Sequence, residues 1–172
     1  MAAKNENTPA VKPFVISRTF DAPRELMWKA WTEPERIAKW LGPKGSTLRV
    51  GKMDFRVGGT YHYSFRFEEQ EMWGKSYYRE IVRPERLVYV NTFSDEKGGL
   101  GRHPLAPDWP AELLTTVTFQ EQGGKTTVTI EWIPINATEA ELAMFDNGRD
   151  SMKQGWTGAL DQLTDYVTTA QQ

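Results

Sequence analysis

The 172-residue sequence has no cysteine, only two histidines and no long apolar stretch. The absence of cysteine excludes disulfides, thiolate metal ligands and cysteine nucleophiles. Charges of the two signs nearly balance, at 21 Lys and Arg against 23 Asp and Glu, so the basic footprint of a nucleic-acid-binding protein is missing. No apolar run approaches the roughly 20 residues that cross a bilayer, and the first residues lack the apolar core of a secretion signal. We therefore expect a cytoplasmic protein with neither a nucleic-acid nor a membrane partner.

Aromatic residues, by contrast, are plentiful and make up 12% of the chain. They fill cores, but they also line pockets for small apolar ligands. The length of the chain fits one domain with a substantial core. Residues 1–12 are polar and aperiodic, so we predict a disordered lead-in there and a single domain over residues 13–172.

The apolar pattern predicts one strand, two short helices and then a run of strands. Alternating apolar residues favour a strand from Phe14 to Asp21. Asp21 and Thr32 have the chemistry of N-caps for helices that end near Trp31 and Gly42. The later strands are expected at Thr47–Arg56, Thr60–Glu68, Met72–Val82, Arg86–Ser94, Glu112–Glu121 and Thr126–Ile135. Short turns between successive strands predict an antiparallel meander.

One connection, Asp95 to Ala111, is too long and too rich in Gly and Pro for a hairpin turn, and such loops are often lids or binding loops. After the last strand, Thr138 to Glu141 has the form of a capping box, and an apolar stripe of about seven turns follows. We expect Asn147-Gly148 to break or kink this helix. Gly155 inside the stripe predicts a close approach to another backbone, because glycine otherwise costs a helix about 1 kcal/mol.

These elements predict an α+β architecture. The sheet has to cover its apolar face, and the amphipathic C-terminal helix is the only large element available for this. We therefore predict a curved antiparallel sheet wrapped around the long C-terminal helix, with the two short helices after the first strand. Such a wrap leaves room for a cavity between the sheet and the helix.

Several strings in this sequence, in a fixed order, resemble one protein family. They are Phe20 to Thr32, Pro34 to Trp40 with Gly42-Pro43, Asp54 to Gly59, Gly74 with Glu80-Ile81, Pro84 to Leu87, and Gly155-Trp156 with Leu160 and Leu163. From about Phe14 to Val167 the chain resembles the activator of heat-shock protein 90 ATPase homologue family, within the START-like (SRPBCC) superfamily. The resemblance implies the helix-grip fold of START-like and Bet v 1-like proteins, with a hydrophobic ligand pocket between sheet and helix.

The resemblance implies function less closely than fold. Members of the superfamily are similar to lipid-transfer proteins, polyketide cyclases and binders of hydrophobic ligands. The eukaryotic co-chaperones after which the family is named carry a further N-terminal domain. Only about a dozen residues precede the domain in this sequence, so the resemblance does not by itself extend the co-chaperone role to this chain.

The candidates for catalysis or metal binding are few. His62 and His103 are about 40 positions apart and lack the spacing of a metal site, and we expect no metal or other cofactor. His62 is the candidate general base, although an ordinary strand histidine is the simpler interpretation. Asp54, Arg56 and Glu80 suggest either a polar network at the pocket wall or a cross-strand ion pair with an anchored turn, and we expect the ion pair.

Alternating aromatic residues of the strands and large residues of the C-terminal helix are the candidate ligand-binding set. They are Tyr61, Tyr63, Phe65, Trp73, Tyr77, Tyr89, Arg149, Met152 and Trp156. Arg149 either holds a carboxylate or phosphate inside the cavity or reaches solvent, and the register beyond Asn147-Gly148 leaves both open. Which face of each strand points inward is also left open.

The sequence favours a binding protein for a small hydrophobic or aromatic molecule, without obvious catalysis. Whether it is an enzyme stays open. The first alternative is a cyclase- or hydrolase-like enzyme that uses a pocket histidine or carboxylates. The second is a co-chaperone-like interaction module that stimulates a heat-shock ATPase. Homodimerisation is also left open.

Overall fold

The computed structural model describes residues 11–42, 45–99, 101–103 and 106–171. These residues form seven strands and four helices. In chain order the elements are β1 (Phe14–Phe20), α1 (Arg24–Thr32), α2 (Pro34–Ile37), β2 (Thr47–Met53), β3 (Thr60–Phe67), β4 (Gln70–Val82), β5 (Arg86–Ser94), β6 (Glu112–Gln122), β7 (Lys125–Pro134), α3 (Glu139–Asn147) and α4 (Arg149–Ala170). The strand β5 has the predicted bounds, and the others differ from prediction by a few residues.

The sheet is an antiparallel meander, as predicted. Strands β2 to β7 lie side by side in chain order, and β1 pairs with β7 at the far edge, so that the order is β1-β7-β6-β5-β4-β3-β2. The sheet curls into a half-barrel around the C-terminal helix. The predicted α+β helix-grip architecture is thereby confirmed.

One end of this half-barrel is filled by side chains. Trp28 of α1 packs edge-on against Phe119 of β6, with ring centroids 5.6 Å apart. Leu160 and Leu163 of α4 are completely buried in the same cluster, as is Val117 of β6. Each such side chain contributes about 1.5–3 kcal/mol by leaving water. The described residues leave space at the opposite end of the sheet, beside the first half of α4.

The predicted N-caps of the first two helices are wrong. The helix α1 begins one residue after Pro23, whose carbonyl accepts the first backbone hydrogen bonds, and Asp21 lies two positions too early to cap it. Thr32 is the last residue of α1, and its hydroxyl donates to the Trp28 carbonyl at 2.9 Å. Because Pro34 has no N–H and begins α2, Glu33 occupies the N-cap position without a side-chain cap. The helix α2 is also shorter than predicted.

The predicted start and break of the C-terminal helices are confirmed. Thr138 and Glu141 form a reciprocal capping box at the start of α3. The helix then ends at Gly148, whose N–H donates to the Met144 carbonyl at 3.0 Å, and α4 begins at the next residue. A Cβ on Gly148 would lie 2.9 Å from the Trp109 ring, so this ring closes over the break.

The predicted lead-in lies mostly outside the described residues. Of residues 1–12, the structure describes only Val11 and Lys12. Val11 packs against the core, and the Lys12 carbonyl accepts a hydrogen bond from Arg149 at 2.6 Å. The domain boundary at residue 13 stays a prediction.

Candidate functional site

A cavity of about 680 Å³ lies at the unfilled end of the half-barrel. Its walls come from the inner face of the sheet, from α3 and α4, and from the described part of the loop between β5 and β6. Ligand pockets in proteins usually measure roughly 300–1,000 Å³. The space is therefore large enough for a bicyclic or larger organic molecule.

The register of the sheet decides which side chains face this cavity. Directly paired residues in neighbouring strands share a face, and successive residues alternate. Tyr63 pairs with Gly74, and Phe65 pairs with Met72. Gly74 in turn pairs with Phe93 on β5. All five residues border the cavity, so these strands contribute to its wall mainly odd-numbered residues of β3 and β5 and even-numbered residues of β4.

The helical wall includes a glycine whose predicted role is wrong. Met152, Gly155, Trp156 and Ala159 of α4 all border the cavity. A Cβ on Gly155 would meet no atom within 4 Å, so no other backbone approaches it. Gly155 instead borders the cavity, so we expect a larger residue at position 155 to take up part of that space.

The third wall is the loop between β5 and β6, tied to α3 by a buried carboxylate. His103, Trp109 and Pro110 border the cavity. Glu141, only 4% exposed, accepts a hydrogen bond from Arg102 at 2.5 Å and another from the backbone N–H of Ala111. Burial acts to raise the pKa of Glu141, but these bonds and the capping-box N–H of Thr138 outweigh it, so the pKa lies below its usual value. One carboxylate therefore holds both ends of this loop segment against α3.

The lining is uncharged at neutral pH. Within the described part of the chain, no Asp, Glu, Lys or Arg borders the cavity. His103 is the one residue of the described lining whose usual pKa lies near neutrality, and burial lowers that pKa below 6.5. A charged ligand would find no opposite charge at this wall, whereas an apolar or aromatic ligand would lose nothing by entering.

A small polar space adjoins the cavity deeper in the sheet. This space, which we call the tyrosine chamber, has a volume of about 40 Å³. Its polar lining residues are Tyr61, Tyr63, Ser76, Tyr78, Tyr89 and Asn91. Tyr63, Tyr89 and Asn91 border both the chamber and the cavity.

Hydrogen bonds fix the orientation of Asn91 between the two spaces. Its Oδ1 accepts the hydroxyl of Thr115, and its Nδ2 lies 3.5 Å from the Tyr63 hydroxyl and 3.4 Å from the Ser76 hydroxyl. Burial raises the pKa of all the chamber tyrosines above the ordinary value of 10, although hydrogen bonds from Asn91 and Ser76 partly offset this for Tyr63. The phenols are therefore neutral hydrogen-bonding groups at physiological pH.

Most of the candidate ligand-binding set lies around these two spaces. Tyr63, Phe65, Tyr89, Met152 and Trp156 border the cavity, and Tyr61 borders the tyrosine chamber. That they bind a ligand remains a prediction. The sequence analysis did not include Asn91, Thr115, Trp109 and Trp132 in the ligand-binding set. The one usable signal was Asn91 itself, a polar residue directly after the apolar run Leu87 to Val90.

The rings of Trp73 and Tyr77 do not lie on the inner face. The hairpin between β3 and β4 turns at Glu68-Glu69, because Phe67 pairs with Gln70. A two-residue turn places odd-numbered residues of β3 opposite even-numbered residues of β4, so odd positions on β4 point outward. Tyr77 is 37% exposed, and the Trp73 ring stacks on His62 at 4.9 Å, although Trp73 still borders the cavity.

Arg149 is not among the residues that border the cavity. Its guanidinium donates to Asp146 at 2.8 Å and to the carbonyls of Lys12 and Pro13 at 2.6 and 3.3 Å. The helix break at Gly148 restarts the helical register, which moves this side chain away from the apolar stripe. Arg149 therefore fastens the chain that leads into β1 and is not placed to hold an anion in the cavity.

The other titratable candidates lie outside the cavity as well. His62 is on the outer face, where its Nε2 is 3.2 Å from the Ser94 hydroxyl and 3.1 Å from the Asp95 carbonyl. The ion pair expected for Arg56 forms with Asp54 at 2.8 Å, in the turn before Gly58, rather than across strands. Glu80 pairs across strands with Arg86 at 3.3 Å. All these carboxylates and guanidiniums are well exposed, and such surface pairs contribute at most about 1 kcal/mol.

No membrane or metal feature is found in the described ranges. None of the helices in residues 11–171 that the structure describes is long and apolar enough to cross a bilayer. Among the same residues, no cluster of three or more His, Asp or Glu is arranged to hold a metal ion.

A comparison with known protein families decides the family of the chain. A family model described as "Activator of Hsp90 ATPase homolog 1-like protein" matches residues 21–168. The chain belongs to this family. The match spans α1 to α4 and includes every wall of the cavity described above.

Solved structures of this family's fold resemble the chain over nearly its whole length. A protein of Chromobacterium violaceum is 25% identical, with a TM-score of 0.70, and the match covers 90% of this chain and 96% of that one. A protein of Arthrobacter aurescens is 20% identical, with a TM-score of 0.77 and coverage of 96% and 93%. The AHSA1 protein of Silicibacter pomeroyi is 14% identical, with a TM-score of 0.70 and coverage of 92% and 99%. No curated protein matched the chain.

Proposed function

We propose that this protein binds a small, uncharged, hydrophobic or aromatic molecule in the 680 Å³ cavity between the sheet and α4. The observation that carries the proposal is the combination of this volume with a lining of aromatic and aliphatic side chains. Burial of an apolar ligand there contributes about 25 cal/mol for each Å² of surface removed from water. A bicyclic molecule therefore gains enough free energy to bind without any charged contact.

The geometry supports binding rather than catalysis. General acid–base chemistry requires titratable groups with different pKa values that converge on one point. His62, the candidate base, lies on the outer face of the sheet. His103 borders the cavity, but no carboxylate of the described residues borders it with His103. We therefore do not propose a cyclase or hydrolase reaction for this site.

The family description names activation of an ATPase. We assign the cavity no part in that activity. The aromatic and aliphatic side chains described above surround an internal space rather than an external surface. The ligand-binding proposal makes direct use of that space, so it is the function that we carry forward.

The uncharged fluorescent probe N-phenyl-1-naphthylamine tests the proposal. Trp109, Trp132 and Trp156 border the cavity, so a bound probe should accept excitation energy from tryptophan and also brighten in its apolar surroundings. We expect saturable binding of one probe molecule per chain. Absence of saturable binding would contradict the proposal.

A matched pair of glycine substitutions in α4 locates the bound probe. A Cβ at Gly155 or at Gly158 would meet nothing within 4 Å, but only Gly155 borders the cavity. Both Gly155→Phe and Gly158→Phe should keep or raise the unfolding temperature, because glycine is the poorer helix former. Gly155→Phe should weaken probe binding at least about tenfold, a loss of about 1.4 kcal/mol, and Gly158→Phe should leave it unchanged. Equal binding by the two variants would place the probe elsewhere.

A further inference from the structure

One tyrosine that lines the tyrosine chamber has a buried hydroxyl without a hydrogen-bond partner among the described residues. Tyr61 is only 5% exposed, and its hydroxyl has no hydrogen-bond partner among the described residues. Leaving a buried polar group unpaired costs about 1–3 kcal/mol. Because Tyr61 lines the tyrosine chamber, an occupant of the chamber that brings a complementary atom to this hydroxyl would be stabilised.

A neighbouring pair of hydroxyls also has one proton to donate. Tyr63 and Ser76 each accept a long hydrogen bond from the Nδ2 of Asn91, at 3.5 and 3.4 Å. The Ser76 hydroxyl donates to the Tyr63 oxygen, so the proton that stays available is that of the Tyr63 hydroxyl. Together with Tyr61, the chamber has more donors than acceptors, so the complementary atom is an oxygen that accepts hydrogen bonds.

The size and position of the chamber limit what can bring that oxygen. A volume of about 40 Å³ holds roughly three water molecules, which is the size of one carbonyl or hydroxyl group with its attached carbon. The chamber shares Leu41, Tyr63, Tyr89 and Asn91 with the large cavity, so the two spaces adjoin at these side chains. A molecule whose body lies in the cavity can therefore present one polar group to the chamber.

We propose that the tyrosine chamber binds an uncharged oxygen acceptor, the hydroxyl or carbonyl group of the hydrophobic or aromatic molecule whose body fills the cavity. This inference rests on the proposed function and specifies the substrate class of the same site. The ligand is thus a phenol, alcohol or ketone rather than a plain hydrocarbon or an acid.

The chamber discriminates against a carboxylate. Among the described residues that line it, none is Lys or Arg, so a buried negative charge would have no counter-ion. Burial raises the pKa of Tyr61 and Tyr89, so these tyrosines do not readily ionise to phenolate oxyanions. An oxyanion on a ligand in the chamber is disfavoured for the same reason.

Three probes of one ring system test the chemistry: naphthalene, 2-naphthol and 2-naphthoate, each measured by displacement of N-phenyl-1-naphthylamine. One added neutral hydrogen bond should strengthen binding about three- to tenfold. We therefore expect 2-naphthol to bind about three- to tenfold more tightly than naphthalene, and 2-naphthoate to bind more weakly than 2-naphthol.

Tyr61→Phe removes only the unpaired hydroxyl. We expect this variant to bind 2-naphthol with close to the affinity that it shows for naphthalene, while its affinity for naphthalene stays within twofold of the wild-type value. Tyr77→Phe, the same change on the outer face of β4, is the control and should preserve the preference for 2-naphthol. If Tyr61→Phe does not fold, Tyr63→Phe carries the same expectation.

The outcomes separate this inference from the proposed function. If naphthalene and 2-naphthol bind equally and both are weakened by Gly155→Phe, the cavity binds ligands but the chamber proposal is wrong. The chamber proposal is also wrong if both Tyr61→Phe and Tyr63→Phe keep the preference for 2-naphthol. It is wrong as well if 2-naphthoate binds most tightly of the three probes. If N-phenyl-1-naphthylamine itself shows no saturable binding, both proposals fail together, and if it binds but 2-naphthol does not displace it, only the chamber proposal fails.

Discussion

Gly74 lies directly opposite Tyr63, and the Tyr63 ring occupies the space where a side chain at position 74 would be. A Cβ on Gly74 would lie 2.6 Å from both Cζ and the hydroxyl oxygen of Tyr63, well inside van der Waals contact. The two residues are paired across β3 and β4 on the inner face. Glycine at this position therefore lets the Tyr63 hydroxyl reach Asn91 between the cavity and the tyrosine chamber.

Gly74→Ala should push the Tyr63 ring out of place. Overpacking of this kind usually costs about 1–3 kcal/mol, and we expect a loss in that range in the free energy of unfolding measured with urea. The preference for 2-naphthol over naphthalene should fall as well, because the Tyr63 hydroxyl moves away from Asn91. Gly158→Ala is the control for a glycine substitution and should not lower stability. A Gly74→Ala variant with unchanged stability and unchanged preference would refute this role.

Glu141→Gln should loosen the loop between β5 and β6. Glutamine keeps an acceptor for the Thr138 N–H but loses the charge that faces Arg102, so we expect a loss of about 1–2 kcal/mol in the free energy of unfolding at neutral pH. Glu139→Gln, in the same turn of α3 but exposed, should have almost no effect.

The effect of Glu141 should depend on pH in a defined direction. The folded state lowers the pKa of Glu141 below its ordinary 4.5, so the charge stabilises the fold fully above that value. The stabilisation is lost as the pH falls through the lower folded-state pKa. The difference between wild type and Glu141→Gln should therefore shrink below about pH 4.5. A difference that is constant between pH 7 and pH 3 would contradict this account.

His103 should make ligand binding weaker in acid. Burial lowers its pKa below 6.5, and protonation places a positive charge in an otherwise uncharged lining. Affinity for N-phenyl-1-naphthylamine should be constant from pH 8 to pH 7 and fall several-fold once the pH is well below 6.5. His103→Gln should bind with an affinity that does not change over this range. An equal decline in the variant would show that another group is responsible.

The same histidine should affect stability. Because the unfolded chain takes up the proton near pH 6.5 and the folded chain only at lower pH, the free energy of unfolding should decrease as the pH falls through this interval. His103→Gln should remove that part of the pH dependence, which urea titrations at a series of pH values would detect.

Arg149→Ala should lower stability without affecting the ligand. The guanidinium donates to the carbonyls of Lys12 and Pro13, and charge-assisted hydrogen bonds contribute about 1.5–3 kcal/mol when they are sheltered. Because Arg149 is about one third exposed, we expect a smaller loss, of about 1 kcal/mol, in the free energy of unfolding. Binding of N-phenyl-1-naphthylamine should be unchanged. Weaker binding with unchanged stability would contradict this account and show that Arg149 takes part in ligand binding.

The fold was predictable because each of its strong signals is local. The alternation that marks β3, the capping box at Thr138 and Glu141, and the breaking pair Asn147-Gly148 all act through neighbouring residues. The order of the strands followed from short turns, which permit only antiparallel neighbours. The helix N-caps failed because Pro23 and Pro34, each with a fixed φ and no N–H, determine where those helices begin.

The site was less predictable because it depends on register between elements. Tyr61, Tyr63 and Phe65 share a face by alternation alone, but the face of Tyr77 depends on whether the turn at Glu68-Glu69 contains two residues. Glu68 has a φ of 57°, an unusual conformation for glutamate, and no local pattern of glycine announces the turn. Gly155 could equally mark a close contact or an open space, and only the packed structure separates these.

The central claim is that a neutral aromatic molecule occupies the cavity, and an NMR titration of the ¹⁵N-labelled protein with naphthalene tests it most directly. The account predicts that the indole N–H signals of Trp109, Trp132 and Trp156 shift together, along with the amides of Gly74 and Gly155. The Trp28 indole, in the filled end of the half-barrel, should not move. Shifts confined to outer-face residues such as Tyr77 and Val15, or no shifts in a saturated naphthalene solution, would contradict the account.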